Sequence, residues 1–120
     1  MSLLKNIKIL DLTRFVAGPH CALVLSDLGA EIIKIEKPKN GDDLRIIGPK
    51  ISNISLWAAV LNRGKKSFSL DLKSKEGRKI FLELVKSADV ILENFRPGVM
   101  EKLKLDWKTI HKINNKVIMA

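Results

Sequence analysis

The sequence predicts an α/β protein built on a parallel sheet. Short apolar runs of strand length alternate with helical stripes along the chain. The opening reads strand–loop–helix–strand in about thirty residues, the size of one βαβ unit. Further on, Ala88–Leu92 is an apolar run that reads as a buried strand and ends in the polar turn Glu93–Gly98.

Ile7–Leu12 is the first strand, leading into the loop Thr13–Pro19. Pro19 suits a first helical turn, where its missing N–H leaves nothing unpaired. Cys21, Val24, Leu25 and Leu28 follow at i, i+3, i+4 and i+7. That spacing makes one apolar stripe, with Cys21 expected as a buried structural thiol. Gly29 stops the helix, and Glu31–Ile35 resumes as a strand. From Glu36 to Asn53, Pro38, Gly41, Gly48 and Pro49 break the pattern around Asp42–Asp43, and a long surface loop is expected. Ser55–Leu61 reads as a short helix. Phe68, Leu70 and Leu72 alternate with Ser67, Ser69 and Asp71, which argues a strand with one wetter face. Ser74 can cap the next helix, whose buried stripe is Ile80, Phe81, Leu84 and Val85. Trp107, Ile110 and Ile113 suggest a last short helix before a strand at Val117. No internal repeat or linker divides the chain, so it is one domain or part of one.

Composition narrows the class. Hydrophobic content of 46% supports a real core. No apolar run is long enough to span a bilayer, and the charged N-terminus lacks the features of a signal peptide. Cys21 is the single cysteine, so no intrachain disulfide forms and a reducing cytoplasm is the expected compartment. The net charge of +9 is uneven: residues 1–60 hold 8 basic and 6 acidic side chains, residues 61–120 hold 14 and 7. A basic half suits a polyanionic partner, such as nucleic acid, a phosphorylated cofactor or an anionic membrane, or it is simply a solvated lysine-rich surface.

The motifs are selective in what they allow. The first loop has Gly18 as its only glycine, so neither the dinucleotide fingerprint nor the P-loop is present. His20 and His111 lie far apart, without zinc-site spacing, and no metal is expected. Asp11 and Asp71 fall at strands, where each is either catalytic or a fixer of its own loop. Asn62–Lys73 gathers Arg63, Lys65, Lys66 and Lys73 around a strand. Such an edge can hold an adenine and pair its phosphates with lysine, or can be a solvated guard against sheet-to-sheet association. Glu93–Leu103 presents Asn94, Phe95, Arg96 and a Pro97–Gly98 turn at the carboxyl end of a strand, the edge where open α/β sheets gather ligands.

Six segments in this order resemble a known family: Arg14–Pro19, Asp27–Glu36, Gly41–Arg45, Asn62–Ser67, Leu70–Lys73 and Glu93–Val99. Together they are similar to the N-terminal portion of family III (CaiB/BaiF-type) CoA-transferases, which include formyl-CoA transferase, carnitine CoA-transferase and α-methylacyl-CoA racemase. The resemblance covers nearly the whole chain. It implies a Rossmann-like parallel sheet with flanking helices, an incomplete N-terminal part of the family's large domain. It implies coenzyme A or acyl-CoA as substrate, a carboxylic acid acceptor, and an interlocked homodimer in the full-length enzyme.

The resemblance also implies a set of coenzyme A contacts. Val16 and Ala17 match the loop after the first strand. Lys37 falls where an arginine often stands near the nucleotide phosphates. Leu70, Asp71, Leu72 and Lys73 match the segment around adenine and ribose. Asn94, Phe95 and Arg96 match the loop along the diphosphate and pantetheine, and Lys102 matches a basic position facing the phosphates. Lysine at 37 and 102 keeps the charge but loses the bidentate fork of arginine. Acyl transfer in the family runs through an aspartate nucleophile, expected beyond Ala120. Residues 1–120 are thus expected to be the coenzyme A-binding part and inactive alone, with no catalytic residue of their own. Arg14 and Val16 depart from the formyl-CoA transferase pattern, where His and Gln stand, which weakens an oxalate/formate assignment. Two alternatives remain: a racemase-type fragment, or a non-catalytic basic α/β module for a nucleotide or nucleic acid. Absence of a recognition-helix pattern counts against nucleic acid, and no membrane partner is expected.

Overall fold

The computed structural model describes residues 2–120. In chain order the elements are β1 (Lys8–Asp11), α1 (Ala17–Asp27), β2 (Glu31–Glu36), a 3-10 turn (Asp43–Arg45), β3 (Lys50–Ile51), β4 (Ile54–Ser55), α2 (Leu56–Leu61), β5 (Lys66–Ser69), α3 (Lys75–Val85), β6 (Val90–Leu92), α4 (Val99–Lys102), α5 (Trp107–Ile113) and β7 (Ile118–Met119). Five strands form one parallel sheet in the order β5-β2-β1-β6-β7. The chain steps outward from β1 through β2 to β5, then crosses back to β6 on the other side of β1. That reversal places a topological switch point between β1 and β6, where α/β sheets open a crevice at the strands' carboxyl ends.

Helices cover both faces. On one face Phe81 and Val85 of α3, Met100 of α4 and Ile110 of α5 pack with Leu10, Leu12 and Ile91. On the other, Ala22 of α1 packs with Ile9, Ile32 and Leu92. Ser55, Ser74 and Asp106 cap α2, α3 and α5, each side chain accepting the N–H three residues on. Among the described residues no helix is long and apolar enough to cross a membrane.

Four local expectations need correction. Of the stripe expected to be buried in α3, Ile80 faces outward and is exposed. The buried side of α1 is Pro19, Ala22 and Leu23, while Cys21, Val24 and Leu28 are exposed. The helix is apolar nearly all round, so two stripes compete. Small Ala22 lets the helix sit close on the sheet, which turns Cys21 outward. The segment expected as a featureless loop holds the 3-10 turn and the β3–β4 hairpin, whose turn residues Ser52 and Asn53 have φ of 48° and 64°. Asparagine tolerates that region, but without glycine the turn carries no strong sequence signal. The strand expected through Leu72 stops at Ser69; Leu70 and Leu72 turn inward beyond it, and Phe68 is half exposed on the edge strand.

Candidate ligand cavity at the carboxyl edge of the sheet

The loops leaving the carboxyl ends of β1, β2, β5 and β6 enclose a cavity of about 660 Å³. β1 delivers Leu12, Thr13, Arg14 and Phe15; β2 delivers Ile35, Glu36 and Lys37; Leu70–Lys73 follow β5; Asn94, Phe95 and Arg96 follow β6. Val99 and Leu103 close the wall from α4 and its end. The volume lies within the ordinary range for small-molecule sites.

Each wall is held by a specific local device. The β1–β6 ladder runs past the strands through Leu12 N–H, which donates to the Leu92 carbonyl at 2.8 Å. Asn94 continues it: its Oδ1 accepts the Arg14 N–H at 2.8 Å and its Nδ2 donates to the Arg14 carbonyl at 2.9 Å. The next residue, Phe15, takes a left-handed φ of 63° and exposes its ring. On the β5 side, Asp71 folds its own turn, with Oδ1 accepting the Lys73 N–H at 2.9 Å. Asp71 is thus a loop fixer by contact. Its backbone carbonyl accepts from the Ser74 hydroxyl at 2.8 Å.

Glu36 anchors the β2 side. Its carboxylate accepts two bonds from Arg45, both at 2.7 Å, one from the Ser67 hydroxyl at 2.7 Å and one from the Asp42 N–H at 2.8 Å. The Arg45 guanidinium, with help from Ser67 and the Asp42 N–H, overcomes burial and holds Glu36 at about 2, against an ordinary 4.5. In dinucleotide-binding sheets an acidic residue after the second strand greets a ribose; here both oxygens are committed inside the protein.

Below the cavity lies a buried tetrad. Asp11 and Lys34 are register partners on β1 and β2. Lys34 Nζ lies 2.9 Å from Asp42 and 3.5 Å from Asp11, and it donates to the Thr13 carbonyl. Lys65 Nζ lies 3.0 Å from Asp11 and donates to the Pro19 carbonyl at 2.9 Å. All four side chains are at most 2% exposed. Burial pushes the Lys65 ammonium below its ordinary value, and Asp11 opposes that shift. Two lysines and two aspartates leave the cluster neutral, the condition for burying charge at tolerable cost.

The structure brings together Lys37, Leu70, Asp71, Leu72, Lys73, Asn94, Phe95 and Arg96 of the expected contacts. Val16, Ala17 and Lys102 stand outside the lining. Val16 and Ala17 begin α1, both exposed, next after Arg14 and Phe15. Lys102 ends α4, exposed, between the lining residues Val99 and Leu103. The basic run Asn62–Lys73 divides. Arg63 pairs with Asp27, Lys66 with Glu31 and Lys65 with the tetrad, so Lys73 alone of its four cations reaches the cavity. Sequence reasoning missed Glu36 and the tetrad. The available signal was Lys34 inside a strand opposite a strand-end aspartate. Among the described residues Lys73 and Arg96 have no carboxylate partner, whereas Arg14 and Lys37 both pair with Asp43.

A doubly covered parallel sheet with its cavity at the switch point defines a Rossmann-like α/β fold. The chain belongs to CoA-transferase family III, whose family model matches residues 4–120. It is similar to an acetyl-CoA:oxalate CoA-transferase of Acetobacter aceti, 48% identical over 112 residues, 93% of this chain and 29% of that protein. It is 43% identical over 117 residues to a succinyl-CoA–D-citramalate CoA-transferase of Chloroflexus aurantiacus, covering 97% of this chain and 29% of that one. Among solved structures, a hypothetical protein of Mycobacterium tuberculosis superposes with a TM-score of 0.91 at 41% identity, covering 99% of this chain and 33% of that chain. The chain thus spans less than a third of the length of these curated relatives.

Proposed function

We propose that this chain supplies the coenzyme A-binding part of a family III CoA-transferase, an enzyme that moves CoA between an acyl-CoA thioester and a carboxylic acid. One observation carries the reading: a cavity at the switch point whose rim holds two cations, Lys73 and Arg96, without a carboxylate partner among the described residues. The apolar walls, Leu70, Leu72 and Phe95, suit adenine and the pantetheine chain. Lys73, Arg96 and Lys37 suit the phosphates, and Lys102, exposed at the end of α4 outside the lining, is assigned to them on its charge and its place between Val99 and Leu103. Val16 and Ala17, exposed at the start of α1 and outside the lining, are assigned to the same ligand on their position next to Phe15.

Catalysis belongs to other parts of the enzyme on this reading, because every aspartate here has a structural task. Asp11 and Asp42 are buried in the tetrad, Asp27 pairs with Arg63, and Asp43 holds two cations. Asp71 folds its turn, Asp89 accepts the Lys8 N–H, and Asp106 caps α5. The chain alone is accordingly inactive. In the full-length enzyme the partners are an acyl-CoA and a carboxylic acid, and the enzyme is an interlocked cytoplasmic homodimer. The lone cysteine supports the reducing compartment. The exposed apolar side chains of Val24, Leu28, Trp57 and Val60 support an interface.

Calorimetric titration with CoA and dephospho-CoA tests the reading. Lys73→Ala and Arg96→Ala are each expected to weaken CoA about tenfold or more, the worth of a charge-assisted contact. Lys102→Ala, outside the cavity lining, is expected to lose less; a larger loss for CoA than for dephospho-CoA would assign Lys102 to the 3′-phosphate, and equal losses would remove that assignment. No binding of CoA at millimolar concentration overturns the proposal. Acyl exchange by the chain that Asp71→Asn abolishes overturns the assignment of chemistry elsewhere.

A further inference from the structure

The four cations lining the cavity are of two kinds. Lys73 and Arg96 have no carboxylate partner among the described residues. Arg14 and Lys37, from the loops after β1 and β2, share one: Asp43 Oδ2 lies 3.0 Å from Arg14 Nη2, and Asp43 Oδ1 lies 2.5 Å from Lys37 Nζ. Asp43 itself does not line the cavity. It stands behind the two cations, in the first position of the 3-10 turn, with its side chain 17% exposed. Its neighbour Asp42 caps that turn and is fixed by Lys34, so the clasp hangs from the buried tetrad.

We infer that Asp43 is a specificity-determining residue that acts through Arg14 and Lys37: it occupies both cations in the free protein and so lowers the cavity's affinity for highly charged phosphate ligands. This inference rests on the coenzyme A reading of the same cavity. The two cations are 39% and 43% exposed, so each ion pair is individually weak and a ligand phosphate can compete for it. An anion arriving at Lys73 and Arg96 therefore meets a second pair of cations that must first be taken from a carboxylate. Removing that carboxylate raises the rim's charge by one unit and frees two donors.

The test is calorimetric binding of CoA, dephospho-CoA and inorganic pyrophosphate to the chain and to Asp43→Asn. The substitution keeps the shape of the side chain and leaves the Asp42 cap in place. Asp43→Asn is expected to bind CoA roughly three- to tenfold more tightly at low salt, the combined scale of two exposed ion pairs. The gain should be larger for CoA than for dephospho-CoA, and should shrink at high salt, where the Debye length falls to about 3 Å. Adding Lys37→Ala to Asp43→Asn should remove most of the gain, which a merely structural role for Asp43 would not produce. Unchanged or weaker CoA binding by Asp43→Asn, with the wild-type chain binding normally, overturns this inference alone. A wild-type chain that binds none of the three probes overturns the coenzyme A reading as well.

Discussion

The side-chain amide of Asn94 stands opposite the backbone of Arg14 as a peptide group of a neighbouring strand would, accepting one bond and returning the other. It bridges the switch point, where the chain diverges in opposite directions and backbone pairing ends. Asn94 thus sets the position of Arg14 and Phe15, two lining residues. Asn94→Ala removes both bonds. It is expected to cost about 1–3 kcal/mol, read as a lower midpoint in urea at unchanged slope, and to weaken ligand binding at the same time. A variant of unaltered stability would remove this account of the crevice.

Glu36 makes the chain sensitive to acid. Its folded value of about 2 lies below the ordinary 4.5, so the stabilisation is fully present above 4.5 and is lost as pH falls from there toward 2. The full shift corresponds to about 3 kcal/mol; Arg45 is 47% exposed, and solvent screening brings the expected effect nearer 1–2 kcal/mol. Urea melts at pH 7, 4.5 and 3 measure it. Glu36→Gln should lose stability at pH 7 and show a shallower decline across that window. Parallel pH profiles for the two proteins would contradict the assignment.

The parallel sheet was legible because strand runs and turn signals alternate, and because Val90–Leu92 and the segment after it read as strand and loop without ambiguity. The cavity's position followed from that order. Its electrostatics did not. Nothing local distinguishes Lys65, buried and paired with Asp11, from Lys66 beside it, which is solvated and paired with Glu31. Which lysine turns inward is decided by the register of β1, β2 and β5, a long-range property. The outward turn of Cys21 has the same origin: both faces of α1 are apolar, and packing of Ala22 on the sheet decides between them. Asn94 was legible as a residue of the loop after β6, but its bond to Arg14, 80 residues away in sequence, was not.

Gly77 and Gly98 should respond very differently to alanine. A Cβ on Gly77 would meet the Asp71 carbonyl oxygen at 1.9 Å and its carbon at 2.7 Å. The nearest obstruction is backbone, with the capping Ser74 hydroxyl also at 2.8 Å, and that backbone belongs to the turn that carries Asp71 and Lys73 into the cavity. Gly77→Ala is expected to destabilise by about 1–3 kcal/mol and to weaken ligand binding. A Cβ on Gly98 meets nothing within 4 Å, but φ is +86°. Gly98→Ala should cost only the left-handed strain, about 1–2 kcal/mol, with the walls left in place. Equal losses of ligand affinity in the two variants would refute the distinction.

The tetrad should behave as one unit rather than as separate ion pairs. Lys34 faces Asp42 and Asp11 and donates to the Thr13 carbonyl, so Lys34→Met leaves two aspartates with one remaining cation. Breaking a buried pair costs about 3–5 kcal/mol, a large part of the roughly 5–15 kcal/mol that holds a domain together. Lys34→Met is therefore expected to be poorly folded. Asp42→Asn alone leaves an extra buried positive charge, while its amide oxygen can still accept the Leu44 N–H that Asp42 now takes at 3.0 Å. The double variant Lys34→Met/Asp42→Asn restores neutrality. It should be more stable than Lys34→Met, with a coupling energy above about 1 kcal/mol in a double-mutant cycle. Urea denaturation of the four proteins gives the cycle directly; where Lys34→Met is too unstable to melt, its folded fraction in buffer bounds the value. Additive losses would mean that the four charges act independently, and that neutrality of the cluster is not what lets the sheet bury it.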